Sequence, residues 1–313
     1  MNVSNTREIL FNFLAPIYLF IICCLPFGIC FGLYLAMPNF ILQIGIILLS
    51  PIIYVLCFIL FSGLLSLPHR KFIIAGRFPR KLGNQIYFHR RLYGLCLTTI
   101  YYFTPIFFIV LSISSLKKLL FRLWGYRGSM DFVTYPDTWI RDIALLQIGE
   151  GAYLSNKATI GTNIAQHDGT ILVDAIKIGD RSVVGHLTMI GPGTELGKDV
   201  EINPGCIIGL HAFLDDGVKV KAYSGIESFA KIGARTVIGS MTYIGSRVTI
   251  APDLVIPAGI TIPAKTKITC QEDVAFFVEH IKQAKTHQRN RIKQIKIITP
   301  FNDSAQKAIF NIE

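Results

Sequence analysis

Charged residues are scarce in this chain, and their absence is concentrated. They make up 16% of its 313 residues, where a soluble globular domain carries about 25%. None lies between Glu8 and Arg70. The hydrophobic fraction is 51% and the mean hydropathy +0.48, which excludes a disordered chain and an ordinary soluble enzyme. The seven cysteines include no C-x-x-C pair. Neither a disulfide framework nor a thiolate zinc site is therefore indicated, and reduced, buried thiols are expected. Interleaved aromatic and basic residues that would mark a nucleic-acid groove are also missing, so no nucleic-acid partner is expected.

What charge there is sits unevenly. Residues 1–147 hold 13 basic and 4 acidic residues, residues 148–268 hold 11 of each, and residues 269–313 hold 7 basic and 5 acidic. The excess belongs to the apolar N-terminal third, which points to a membrane surface and its lipid. Within it, residues 11–36 and 40–66 are each long enough to cross a hydrocarbon core, which needs about 20 apolar residues. Met37, Pro38 and Asn39 between them read as a tight turn. The pair, 11–66, is thus a helical hairpin, and the first segment is too long for a cleaved signal peptide.

The loop 67–91 that follows carries Arg70, Lys71, Arg77, Arg80, Lys81, Arg90 and Arg91. The positive-inside rule puts it in the cytoplasm, with the N-terminus, and makes the chain a multi-pass protein of the inner membrane. A third apolar segment, 92–116, contains Pro105 and is basic on both sides. A re-entrant or in-plane helix fits that flanking better than a crossing, and keeps the rest of the chain in the cytoplasm. Residues 117–147 form an amphipathic connector.

From Ile148 to Ile262 every sixth residue is Ile, Leu or Val, with Gln166 the single exception. Gly commonly follows, and a small residue such as Ala152, Thr188, Cys206 or Ser224 stands four places after the aliphatic one. A period of six suits neither an α-helix nor a flat amphipathic strand. It predicts three short strands per coil of about 18 residues, stacked as a triangular prism of six to seven coils over residues 148–268. The aliphatic residue would fill the interior, the small one the corner, and Gly the turn.

At this point the chain resembles the hexapeptide-repeat acyltransferase superfamily, and that resemblance implies a left-handed parallel β-helix. Upstream, "RFPRKLGNQIYFHRRLYG", "LLFRLWGYRG" and "YPDTWIRDIALLQIGEGAYL" look like the membrane-bound C-terminal region of poly-lysine-synthetase-type nonribosomal peptide synthetases. The expected fold class is a helical membrane region, an all-β left-handed β-helix, and a C-terminal helix.

The lapse at Gln166 opens "QHDG", and "AQHDGTILVDAIKIGDRSVVG" is similar to the His-Asp segment of sugar-modifying hexapeptide acetyltransferases. Carried over, His167 is the general base that deprotonates a hydroxyl or amine for attack on an acyl-CoA thioester, and Asp168 is the acid beside it. A neutral imidazole suits that task, since its ordinary pKa is about 6.5. Eighteen-residue coils would stack His186 near His167 and set Gly185, Asn203 and Lys221 in one column. The resemblance implies acyl-CoA, most simply acetyl-CoA, along such a wall in a cleft of a homotrimer, so His186, Asn203 and Lys221 are candidate donor-binding residues. His211 falls on another side. The three-His zinc site of γ-carbonic-anhydrase-type relatives is not reproduced, and no metal is expected.

The reading is a membrane-anchored acyltransferase, most simply an acetyltransferase, whose acceptor is presented at the bilayer, such as a lipid-linked glycan or an amine. The alternative is a non-catalytic platform for a peptide-synthetase or glycan-export partner. The tail 269–313 reads as a basic amphipathic helix that either caps the prism or lies on the membrane.

Overall fold

The computed structural model describes residues 3–279. Two helices, Thr6–Ala36 and Phe40–Phe72, are long and apolar enough to cross a membrane. Phe13, Phe27, Phe40, Ile41 and Leu48 stand exposed along them, an apolar surface that a water-soluble protein does not keep. The first helix passes through a short π-helical turn, Phe20–Cys24. Pro26 lies just beyond it and has no N–H to give to the preceding turn.

The third apolar run is not one straight helix. Gln85–Tyr102 and Thr104–Ser112 meet at 88°, with Pro105 in the first turn of the second piece. Its apolarity has a second cause besides lipid: Leu92, Tyr93, Cys96 and Ile100 are fully buried against protein. Tyr93 donates to the carbonyl of Trp124 at 2.7 Å and Tyr101 to that of Ile140 at 2.8 Å. This helix is therefore wedged between the membrane pair and the base of the next domain, and one hydrophobic core runs through all of them.

The expected prism follows. Three parallel sheets of seven strands each form its faces. The first face begins with Phe132–Val133, Ala152–Leu154 and Val183–Val184, the second with Trp139–Ile140, Thr159–Ile160 and Met189–Ile190, and the third with Leu146–Ile148, Ile176–Ile178 and Glu195–Leu196. The register is eighteen residues over most of its length, as in Val183 opposite Glu201 and Glu201 opposite Lys219. The aliphatic residues fill the axis, and Leu154, Ile202, Ile232 and Ile256 are wholly buried. The small corner residues do more than fit: the hydroxyls of Thr188, Thr194 and Ser224 donate to carbonyls fifteen residues on, at 3.0, 2.9 and 2.8 Å. A buried backbone acceptor is thus satisfied at each of those corners.

Three expectations need correction. The paired strands of the prism begin at Phe132, ahead of the first hexad at Ile148. The recurrent Gly does not supply the turn: left-handed backbone occurs two residues later, mostly at non-glycine residues such as Arg181 (φ 55°), Leu187 (58°) and Met241 (54°). Gly is there because the next coil is close, and a Cβ on Gly239 would stand 2.4 Å from the amide nitrogen of Ala258. Finally, two hexads are not sides of the prism. Ile148 pairs with Ile178 thirty residues later, whereas Ile178 pairs with Leu196 after eighteen. The twelve extra residues leave the prism as a β-hairpin, Asn163–Ala165 with Thr170–Val173.

At the far end, residues 271–279 are helical. Val274 is buried there, and the Gln271 side chain bonds both backbone groups of Val255 at 3.1 and 2.8 Å. Within the described residues the tail caps the last coil. Its predicted basic face, from Lys282 to Lys296, lies outside them. Gly239→Ala should lower stability by about 1–3 kcal/mol through overpacking, while Gly28→Ala, with open space around its Cβ, should leave the melting temperature in detergent unchanged.

Candidate active site

The hairpin that interrupts the prism carries Gln166, His167, Asp168 and Gly169 at its tip. It grows from the corner between the second and third faces, in the coil that starts with Ala152. A third strand, Gly76–Pro79, lies antiparallel to it, with Arg77 opposite Leu172 and Pro79 opposite Thr170. That strand belongs to the basic loop leaving the second membrane helix, so the hairpin is tied to the membrane side of the molecule. The Arg80 amide extends the pairing by donating to the carbonyl of Gly169 at 2.9 Å.

Asp168 holds the tip in shape. Its carboxylate accepts the Thr170 hydroxyl at 2.6 Å and the Thr170 amide at 3.0 Å, and it pairs with the Arg77 guanidinium. The Thr170 hydrogen bonds, with Arg77, hold its carboxyl below the usual carboxylate range. The stabilisation is therefore present above the ordinary carboxylate pKa and is lost as pH falls through the lowered value. His167 is exposed and makes no hydrogen bond among the described residues. Asp168 thus orients the loop and not the imidazole.

The root of the hairpin is fixed by buried charge. Asp142 pairs with Arg90 of the wedged helix, at side-chain exposures of 6% and 8%. It also accepts from the Thr162 hydroxyl at 2.6 Å and from Asn163 at 3.3 Å.

The other predicted residues gather elsewhere. With twelve residues inserted, His167 stands outside the column of Gly185, Asn203 and Lys221. The residue below Gly185 is Ser155, whose amide bonds the Val184 carbonyl at 2.9 Å. His186 and Asn203 do meet, in a groove of about 460 Å³ that also takes in Tyr153, Arg181 and Glu201. Asn203 donates to Glu201 at 3.1 Å, and Lys221 reaches the same carboxylate at 4.0 Å. The groove lies across the first face, from Arg181 and Asp199 to His186 and Asn203 at the corner with the second face.

Two features escaped the sequence reading. His211, set aside there, stands on the same corner as the hairpin, with Nδ1 3.6 Å from the Asp174 carboxylate and its ring stacked on Phe229 at 5.1 Å. The signal was present, since Asp174 closes the hairpin segment, but the inserted residues hid the register. The second feature is an apolar face. Met189, Ile207 and Tyr243 point outward from the second face and Leu187, Tyr223 and Met241 from its leading corner, all exposed. The third face instead presents Lys177, Glu195, Lys231 and Lys267. Among the described residues no group of three or more His, Cys, Asp or Glu side chains could hold a metal.

No protein-family model matches the chain, and no curated protein matches it. Several solved structures resemble part of it. A perosamine N-acetyltransferase variant from Caulobacter crescentus, in complex with CoA and GDP-perosamine, is 18% identical over 48% of this chain and 62% of its own, with a TM-score of 0.28. The UDP-N-acetylglucosamine O-acyltransferase LpxA of Moraxella catarrhalis is 15% identical over 44% and 63%, with a TM-score of 0.35. The acetyltransferase domain of PglB from Neisseria gonorrhoeae, in complex with acetyl coenzyme A, is 17% identical over 49% and 62%, with a TM-score of 0.20. The chain spans about three fifths of the length of these structures.

Arg77→Ala removes the clamp on the tip without touching the prism. Hydrogen exchange of the amides between Ile164 and Leu172 should accelerate about tenfold or more, as expected where local opening is made easier, while exchange in the later coils stays unchanged.

Proposed function

We propose that this chain is a membrane-anchored acyltransferase that takes its acyl group, most simply acetyl, from acyl-CoA. It passes that group to a hydroxyl or amine presented at the cytoplasmic face of the inner membrane. The observation that carries the reading is the pairing of the polar groove at His186 and Asn203 with the exposed apolar face beside it.

An exposed apolar face of this extent is covered by another surface, and a second copy of the same prism supplies one. Cyclic contacts are heterologous. Three prisms that turn their second faces inward set the groove corner of each against the hairpin corner of the next. The hairpin leaves from the coil that also lines the low end of the groove at Tyr153 and Ser155, so the heights agree. His167 of one copy then reaches the donor groove of its neighbour. The sequence resemblance assigns that groove to acyl-CoA, with His186, Asn203 and Lys221 along the donor.

His167 takes the acceptor proton as the acceptor oxygen or nitrogen attacks the thioester carbonyl, and CoA leaves as the thiol. Arg77 and Asp168 position it by fixing the loop. In this proposal the bent helix pair re-enters instead of crossing, which keeps the prism on the same side as the basic loop.

A second reading of the base is supported by the distance of 3.6 Å between His211 and Asp174. A carboxylate that orients an imidazole is the usual partner of a general base, and His211 lies on the same corner. Single substitutions decide between them. With purified protein, labelled acetyl-CoA and a membrane lipid extract, His167→Ala should lower transfer by about 10²–10⁴, and His211→Ala by much less. The reverse result moves the base to His211, and full activity in both ends the catalytic account. A thermal-shift titration with CoA tests the platform alternative, which requires no stabilisation. Ile207→Glu should convert the trimer to monomer by light scattering in detergent and abolish transfer with it.

A further inference from the structure

A cavity of about 1300 Å³ opens where the second membrane helix meets the prism, away from the groove described above. Its wall is made by the end of that helix at Leu67, Arg70 and Lys71, by the turn at Arg122–Gly128, and by the third face of the first coils. Six cationic side chains line it, Arg70, Lys71, Arg122, Arg127, Lys177 and Lys198, against one carboxylate, Asp180.

The cations fall into two sets. Lys198 pairs with Asp180 at 3.2 Å and Lys177 with Glu195 at 2.8 Å, so these two are neutralised. The other four have no carboxylate partner among the described residues. Arg70 donates to the Arg122 carbonyl at 2.9 Å, and Arg122 to those of Tyr126 and Gly128 at 2.8 and 3.0 Å. Both guanidiniums are thereby held in place without losing charge. Among the described residues Arg127 makes no hydrogen bond or ion pair, and Lys71 lies 5.2 Å from the centre of the Phe72 ring. Four uncompensated cations around one cavity repel one another, and a multiply charged anion relieves that repulsion.

Position decides which anion. Leu67 and Lys71 belong to the last turns of the second membrane helix, and the adjoining Ile74 is exposed on the cavity wall. A ligand at that depth with an apolar portion beside Leu67 and Ile74 and a phosphate among the arginines is an amphiphile entering from the bilayer. We infer that this cavity binds the headgroup of a membrane lipid bearing a phosphomonoester or diphosphate. The inference does not rest on acyl transfer, and its test reads binding alone.

Full-length protein in neutral detergent is titrated with dioctanoyl phosphatidic acid, dioctanoyl phosphatidylcholine, inorganic pyrophosphate and CoA, and followed by thermal shift. The phosphatidic acid should stabilise the protein, and the zwitterionic lipid should not. The Lys71→Ala/Arg127→Ala double variant, which removes two side chains that have no hydrogen bond or ion pair among the described residues, should bind phosphatidic acid roughly tenfold more weakly or worse. Lys219→Ala, on the first face, should bind it as the parent does. The inference is overturned if no probe stabilises the protein, if the double variant binds unchanged, or if Lys219→Ala weakens binding equally. It is also overturned if pyrophosphate or CoA matches the lipid and is lost in the double variant, since the site would then take a soluble anion.

Discussion

One buried ion pair joins the prism to the membrane helices, and the position of the candidate site depends on it. Arg90, on the helix wedged beneath the prism, meets Asp142 in the first coil. Asp142 sits in left-handed backbone (φ 47°) and gathers Thr162 and Asn163 at the hairpin root. Charges taken out of water attract strongly in one geometry only, and removing one partner of such a pair costs about 3–5 kcal/mol. Among the described residues Arg90 also keeps one buried nitrogen, Nη1, without a partner. Around the pair the aromatic core passes from one domain to the other, with Phe121 and Tyr126 each 5.7 Å from Phe132 and Tyr101 5.5 Å from Trp139. Prism, hairpin and membrane pair are therefore placed relative to one another by packing, by this buried pair and by hydrogen bonds such as that of Tyr101 to the Ile140 carbonyl.

The period of six made the prism legible, because an interior position that must be aliphatic recurs at each side of each coil. The two membrane helices were legible from their length and lack of charge. The hairpin was not, and the reason is numerical: an insertion of twelve residues preserves a six-residue phase. Leu172 therefore still occupied the aliphatic position of its hexad although it lies in the hairpin strand opposite Arg77. The first coil was missed because Phe132 and Trp139 stand where hexads usually put smaller residues and a 3-10 turn, Ile143–Leu145, intervenes. For the site, the lapse at Gln166 correctly marked a departure from the prism. Column arithmetic across it then placed His167 beside Gly185 and passed over the approach of His211 to Asp174, which only coordinates bring out.

The architecture separates tasks along its length. Lipid-facing helices set the depth, and the basic loop turns that depth into a strand that holds a hairpin. The prism supplies a rigid wall whose second face is apolar and whose flanking corners carry the groove on one side and the hairpin on the other. A wall of short parallel strands, tied at many corners by side-chain hydroxyls, leaves little freedom for those corners to move relative to each other. Such rigidity suits the proposed transfer, in which a soluble donor and an acceptor held at a membrane meet at a fixed distance.

The central claim is that the working site forms between copies, from the hairpin tip of one and the groove of the next. Cysteine cross-linking measures it directly. With Gly169→Cys and Asn203→Cys in one chain and mild oxidation in detergent, the account predicts covalent dimers and trimers on a non-reducing gel, absent from either single variant and suppressed by CoA. If the double variant stays monomeric while light scattering shows the oligomer intact, the hairpin does not reach the neighbouring groove, and the account is contradicted.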